Sequence, residues 1–168
     1  MTKVCLDTSF LISFADPSRP HHDIALGYYR YCLSNDIPMY ISVVSAGEFE
    51  VKQSFTDLPL DTFRILPFNL PDALGAAHLF RVLHTEGSRD PCDARKIIIN
   101  DLKIIAQAEE EGIGIILSED ENTMSRAAST LRTLSAAEAE VLLLKDGFTP
   151  GRLVTPDQTE LPLISDLE

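Results

Sequence analysis

The sequence has few cysteines, few basic residues and no long apolar run, and each shortage excludes a class of protein. Its three cysteines, Cys5, Cys32 and Cys92, are widely spaced and form no Cys-x-x-Cys pair, so we expect reduced thiols in a cytoplasmic protein and no cysteine-bound zinc. No apolar stretch approaches the roughly 18 residues that span a bilayer, and Asp7 interrupts what would be the apolar region of a signal peptide. We therefore expect no contact with a membrane.

Basic residues are scarce relative to acids. The chain has 14 Lys and Arg against 26 Asp and Glu, a formal net charge of -12. Proteins that hold nucleic acid by bulk electrostatics carry clustered Lys and Arg, so any such contact of this chain has to be local. The densest basic group lies around and before Asp101 in the sequence and comprises Arg81, Arg89, Arg95, Lys96 and Lys103. The simpler interpretation of this group is a helix face exposed to solvent.

Short apolar runs alternate with helical periods along the chain, which predicts an α/β fold with parallel strands and right-handed crossovers. Helices are predicted over residues 23–33, 72–84, 101–111 and 123–134, and strands over residues 3–6, 39–44, 63–68, 113–117 and 141–144. With 168 residues, of which 45% are hydrophobic, one domain is expected. We assign residues 1–148 to it and residues 149–168, which are rich in proline and acids, to a C-terminal extension packed on the body or on a neighbour.

Four carboxylates stand where a predicted strand passes into a predicted helix: Asp7, Glu48, Asp101 and Asp120. Asp7 ends the first strand. Glu48 lies three residues after Ser45, in the register of a capping box that would begin a helix at Ser45. Asp101 would begin the helix that Gly112 ends, and Asp120 closes the strand that follows.

These four carboxylates are expected at one edge of one sheet. A helix of about 11 residues covers roughly 16 Å, and the strand that follows it returns a similar distance at about 3.3 Å per residue. Asp101 and Asp120 therefore lie at the same edge. Because the carboxyl ends of parallel strands share an edge, Asp7 and Glu48 join them there.

Each acid alone has an ordinary explanation as a helix cap, a capping-box partner or a turn residue. Together they require a cation, because like charges in close contact repel by about 4 kcal/mol per pair at an effective dielectric constant near 20. Oxygen ligands without matching His or Cys suit Mg²⁺ or Mn²⁺ rather than Zn²⁺. The sequence His21-His22-Asp23 also looks like a metal trio, but adjacent side chains point apart, and a helix N-terminus is the favoured interpretation.

Two other kinds of protein with a functional aspartate, a phosphatase and a receiver domain, fit the sequence less well. A phosphatase with a nucleophilic Asp7 would need a second Asp at position 9, where the chain has Ser9. A receiver domain would use Lys145 after the final strand, but it would also need adjacent acids at the end of the first strand, where Leu6 precedes Asp7.

Four segments in this order and spacing carry a resemblance to a known family: residues 4–12 (VCLDTSFLI), 42–48 (SVVSAGE), 100–108 (NDLKIIAQA) and 116–120 (ILSED). The chain resembles the PIN-domain ribonucleases and, among them, the VapC-type toxins of toxin-antitoxin pairs. The resemblance implies a three-layer α/β/α sandwich with a central parallel sheet. It also implies cleavage of single-stranded RNA with Mg²⁺ or Mn²⁺ at Asp7, Glu48, Asp101 and Asp120. Ser9 and Ser118 match hydroxyl positions beside those acids, where they would orient them.

The favoured hypothesis is therefore an endoribonuclease in which a metal-activated water attacks the phosphodiester in line. Asp7, Asp101 and Asp120 would hold most of the metal, and Glu48 would complete the ligand set or orient the water. A toxin of this kind implies RNA as substrate, an antitoxin encoded by a neighbouring gene and a homodimer. The alternative is a PIN-like binding or regulatory module without nuclease activity, which the excess negative charge and the C-terminal extension motivate.

Overall fold

The computed structural model describes residues 2–87 and 95–153 and contains five strands in one parallel sheet. The strands are β1 (Val4–Leu6), β2 (Met39–Ser42), β3 (Phe63–Leu66), β4 (Ile115–Ser118) and β5 (Glu140–Leu143). The helices are α1 (Thr8–Ala15), α2 (His22–Ser34), α3 (Val43–Glu50), α4 (Leu70–Val82), α5 (Arg95–Glu110) and α6 (Arg126–Thr133). Single π-helical turns follow α4 and precede α6, at Leu83–Gly87 and Glu121–Ser125.

Helices cover both faces of the sheet, so most strand residues are apolar and buried on both sides, whereas Arg64 and Ile65 of the edge strand β3 are exposed. Val4 and Leu6 of β1 pack with Phe10 and Tyr28 from the first two helices. Cys5, which points to the other face, belongs to a second core cluster built mainly from α4, α5 and α6. The three-layer α/β/α sandwich that the resemblance implied is confirmed.

The strand order is β3-β2-β1-β4-β5. The chain builds the sheet outward from β1 on one side and then returns to add β4 on the other. In open parallel sheets such a reversal leaves a crevice at the carboxyl ends of the two strands where it occurs. Leu6 and Leu117 are paired in register across β1 and β4, so Asp7 and Ser118 follow side by side at this crevice.

The start of α3 differs from the prediction. Helix α3 begins at Val43, and the Ser42 hydroxyl caps it by accepting a hydrogen bond from the Val44 backbone N–H at 3.0 Å. The capping box at Ser45 was therefore wrong, and β2 ends at Ser42. The two β-branched valines favour a strand by propensity, but the Ser42 cap places them in the first helical turn. Glu48 accordingly lies in the second turn of α3.

The start of α5 also differs. It begins at Arg95, so Asp101 lies in its second turn and does not begin it. The spacing of Ile98, Leu102 and Ile105 continues the helical period upstream of the acid, and that period outweighs the capping preference of Asp101. The predicted end is correct: Gly112 has a φ of +62°, and the Ile113 N–H donates to the Ala108 carbonyl at 2.7 Å.

The remaining elements shift by a few residues. Strand β3 ends before Pro67, and the predicted helix 123–134 is divided into the π-helical turn and α6. The loop expected at residues 86–91 lies outside the described residues from position 88 onward, Arg89 included. Cys92 and residues 154–168 also lie outside them. Within the described part of the chain, every helix is too short or too polar to cross a membrane.

Candidate active site

Asp7 follows β1 directly and is held by two hydroxyls. Its Oδ2 accepts hydrogen bonds from Ser9 Oγ at 2.7 Å and from Ser118 Oγ at 2.8 Å, and the two hydroxyls are 3.1 Å apart. The side chain is buried, and burial raises its pKa; the two hydroxyls lower it, and the negative charge of Glu48 raises it further. Ser9 and Ser118, predicted beside the acids, therefore fix one oxygen of Asp7.

Asp120 is the N-cap of the π-helical turn after β4. Its Oδ1 accepts from the backbone N–H groups of Asn122 and Thr123 at 2.8 and 2.9 Å, and the Thr123 hydroxyl donates to Oδ2. The Asp120 N–H itself donates to Ser118 Oγ at 2.9 Å. The Ser118 side chain thus contacts both Asp7 and the backbone of Asp120.

Asp101 is buried, and its Oδ2 has no hydrogen-bond partner among the described residues. The pKa of Asp101 is raised to about 7, and burial is the largest cause. The Thr123 hydroxyl lowers this pKa, whereas the charges of Asp7, Asp120 and Glu48 raise it. Asp101 therefore lies within electrostatic range of the three other predicted acids, and the four form one acidic cluster.

Glu48 reaches the acidic cluster from α3 and is held by two residues that the sequence reasoning did not single out. Thr8 Oγ1 donates to its Oε2 at 2.5 Å, and Asn100 Nδ2 donates to its Oε1 at 2.7 Å. Thr8 and Asn100 each adjoin a predicted acid in sequence, but their contact with Glu48 depends on the packing of α1 and α5 against α3. Thr123 was also missed, although its position could have indicated its role. A hydroxyl three residues after an N-cap Asp is placed to donate a hydrogen bond to the carboxylate of that Asp.

Glu119 stands between Ser118 and Asp120 but points away from the acidic cluster. It accepts hydrogen bonds from Ser13 Oγ at 2.5 Å and Arg19 Nη2 at 3.1 Å, and its Oε1 lies 2.7 Å from His21 Nδ1. Burial alone would raise the pKa of Glu119, but these contacts hold it below its ordinary value. Because α2 begins at His22, the prediction of a helix N-terminus at His21-His22-Asp23 is confirmed.

The acidic cluster offers only oxygen atoms as metal ligands. No three His, Cys, Asp or Glu side chains within residues 2–87 and 95–153 converge closely enough to hold an ion by themselves. Mg²⁺ commonly binds through one or two carboxylates and keeps several waters, so it does not need such a set. The unpartnered Oδ2 of Asp101 is the kind of buried atom that a cation would satisfy. The residues present therefore fit an Mg²⁺-type ion with an incomplete protein ligand set.

Comparison with known proteins gives the same fold. Structural matches include VapBC2 from Rickettsia felis bound to a promoter DNA fragment, with a TM-score of 0.57, 16% identity and coverage of 83% of this chain and 98% of that one. FitAcB from Neisseria gonorrhoeae matches with a TM-score of 0.58 and 18% identity, over 84% of this chain and 98% of that one. The sarcin-ricin loop cleaving toxin VapC20 from Mycobacterium tuberculosis matches with a TM-score of 0.50 and 15% identity, over 71% of this chain and 92% of that one. No curated protein sequence matches the chain. The family model for the PIN domain matches residues 4–129, a stretch that includes all four acids, and the chain therefore belongs to the PIN domain family.

Proposed function

We propose that this protein is a cytoplasmic, divalent-metal-dependent endoribonuclease that cleaves single-stranded RNA. The observation that carries the proposal is the unpartnered Asp101 Oδ2, buried within the acidic cluster at the crevice where ligands bind in sheets of this topology. The description of VapC20 as a toxin that cleaves an RNA loop supports the choice of substrate.

In this proposal Mg²⁺ or Mn²⁺ would bind among Asp7, Asp101 and Asp120, directly to one or two of these carboxylates and through water to the rest, and Glu48 would complete the ligand set or orient the water. A bound ion of this kind supplies polarisation of the phosphodiester and a lowered pKa for a water molecule. The protein contributes orientation: hydroxyls hold one oxygen of Asp7, the turn after β4 holds Asp120, and Thr8 with Asn100 holds Glu48. Asp101 Oδ2, which has no hydrogen-bond partner among the described residues, would coordinate the ion.

We extend the proposal to a toxin of the VapC type, neutralised by an antitoxin that a neighbouring gene encodes. Several structures with this fold are VapBC assemblies, which supports a protein partner. An arginine from the antitoxin would make a bidentate pair with the acidic cluster. Co-expression with the neighbouring gene should yield a stable complex and a homodimer of this chain. Harmless expression without any co-purifying neighbour would refute the toxin assignment and leave the fold unaffected.

We keep residues 1–148 as the proposed nuclease unit and residues 149–168 as its extension. The start of the extension packs on the body. The Thr149 N–H donates to the Tyr28 hydroxyl at 3.1 Å, and Leu153 is fully buried in the core cluster of α1 and α2. These contacts support a C-terminal extension whose first residues, 149–153, pack against the core beside α2.

Cleavage of RNA by metal-stripped and metal-supplied protein tests the proposed activity. The substrate panel should contain single-stranded and hairpin RNAs, with the wild type compared with Asp101→Asn and with Asp61→Asn, an exposed acid outside the cluster. We expect cleavage only with Mg²⁺ or Mn²⁺, and only by the wild type and Asp61→Asn. Binding of RNA without cleavage at any metal concentration would favour the alternative, a PIN-like binding or regulatory module.

A further inference from the structure

A partly exposed aromatic side chain lies at the carboxyl edge of the sheet beside the acidic cluster. Phe68 follows β3 by two residues, so it lies at the same edge as the acids. It belongs to neither core cluster in the described part of the chain. The ammonium of Lys103 lies 5.8 Å from its ring centroid. Surfaces that bind single-stranded nucleic acid combine aromatic side chains with nearby cations, and Phe68 with Lys103 is such a pair.

Lys103 connects this aromatic to the acidic cluster. Its Nζ lies 3.4 Å from Asn100 Oδ1, and Asn100 in turn donates to Glu48 at 2.7 Å. Among the described residues, Lys103 has no carboxylate within 4.0 Å, although the chain has 26 acids. An ammonium has three N–H donors, and the one long contact with Asn100 leaves donors free for an anion. In a chain of net charge -12, this is a local cation of the kind that RNA contact requires.

We propose that Phe68 and Lys103 form a binding subsite for the nucleotide next to the one that is cleaved, with the base stacked on Phe68 and its phosphate bound by Lys103. This inference rests on the proposed function, because it assigns a substrate contact to the same site. The ring supplies a π-face that accepts any base, so the subsite selects single-stranded substrate and not a particular sequence. Asn100 orients both sides, since it contacts Lys103 and Glu48.

The test measures binding of a short, fluorescently labelled, single-stranded oligoribonucleotide to the Asp101→Asn protein in Mg²⁺, so that cleavage does not interfere. Phe68→Leu should weaken binding about tenfold, and Phe68→Trp should restore it, because stacking needs an aromatic plane. Lys103→Gln should also weaken binding and reduce the slope of log affinity against log salt by about 0.7, the loss of one phosphate contact to a single strand. Lys103→Arg should restore both.

Lys3→Gln is the matched control, because it removes the same charge at the opposite end of the sheet, where Lys3 Nζ donates to the Glu111 carbonyl at 2.6 Å. It should leave affinity and salt slope unchanged. Equal binding by the parent, Phe68→Leu and Lys103→Gln proteins would overturn the subsite, even if the wild type cleaves RNA. Absence of RNA binding by the parent would overturn it as well. Binding that depends on Phe68 and Lys103 without cleavage by the wild type would uphold the two residues as an RNA-binding subsite and refute the nuclease.

Discussion

The hydroxyl of Ser118 lies 2.8 Å from Asp7 Oδ2 and joins the ends of two adjacent strands that are 111 residues apart in the chain. The same oxygen accepts the backbone N–H of Asp120 at 2.9 Å. One small side chain therefore sets the spacing between the first and last acids of the cluster. A change at position 118 should act on both acids at once.

Ser118→Ala should lower the free energy of unfolding by about 1.5–3 kcal/mol, the range for a lost hydrogen bond to a charged group. It should also lower RNA cleavage at least about tenfold, because a carboxylate that is no longer held loses its orientation. Urea unfolding and single-turnover cleavage measure the two effects. Ser129→Ala, at an exposed serine of α6, is the control. If Ser118→Ala matches that control in both assays, the hydrogen bond is incidental.

Asp101→Asn should reduce RNA cleavage at least about 100-fold while the protein stays folded, because the amide keeps the shape of the carboxylate and loses the charge that attracts metal. Circular dichroism checks the fold, and RNA end mapping measures cleavage. A folded Asp101→Asn protein that cleaves within a few-fold of the wild type would show that Asp101 is not a ligand.

The stability of the metal-free protein should fall as pH rises from about 4 to about 7. The unfolded chain releases the Asp101 proton near pH 4, whereas the folded protein retains it until about pH 7. The folded state thus binds more protons between these values, so the free energy of unfolding falls by up to about 4 kcal/mol from pH 4 to 7 and levels off above. The raised pKa of Asp7 acts in the same direction.

Urea unfolding in chelator across this pH range measures the effect. Asp101→Asn should have a shallower pH dependence than the wild type, because its amide does not titrate. Stability that rises between pH 5 and 7 in the wild type would contradict the assignment of a proton to Asp101.

Metal should raise the melting temperature by neutralising the cluster. An ion at 100 times its dissociation constant stabilises by about 2.7 kcal/mol, and each kcal/mol raises the melting temperature by roughly 2–4 °C for a chain of this size. Saturating Mn²⁺ or Mg²⁺ should therefore raise it by about 5–11 °C near neutral pH, and less at pH 4 to 5, where protons compete for the same oxygens. Asp7→Asn or Asp120→Asn should abolish the response. A melting temperature that does not respond in demonstrably metal-free wild type would mean that the acids form no metal site.

The fold class could be predicted from the sequence because strands and helices alternate with different apolar periods, as in residues 113–117 and 101–111. The gathering of four acids followed from the shared carboxyl edge of parallel strands, and Asp101's electrostatic coupling to the others agrees with it. Helix starts were less predictable. Ser42 and Ser45 are equally good caps by type, and nothing in the sequence shows that the helix begins three residues earlier, at Val43 with Ser42 as its cap.

The contacts that orient the acids could not be predicted, because they join residues far apart in sequence. Asn100 and Glu48 are 52 residues apart, and Thr8 and Glu48 are 40 apart. Their contact depends on the side-by-side packing of three helices, which hydrophobic periods do not specify. The same is true of Lys103 and Phe68, whose approach depends on where the chain passes after β3.

The strand order also determines when the acidic cluster can exist during synthesis. Strand β4 pairs with both β1 and β5, so the middle of the sheet stays open until residues 115–118 have been translated and have left the ribosome. Asp7 is made early, and its partner Ser118 and its neighbour Asp120 follow it only after more than 100 further residues. A nascent chain therefore carries an incomplete site until Asp120 has left the ribosome, and any activity at this edge begins only after that point.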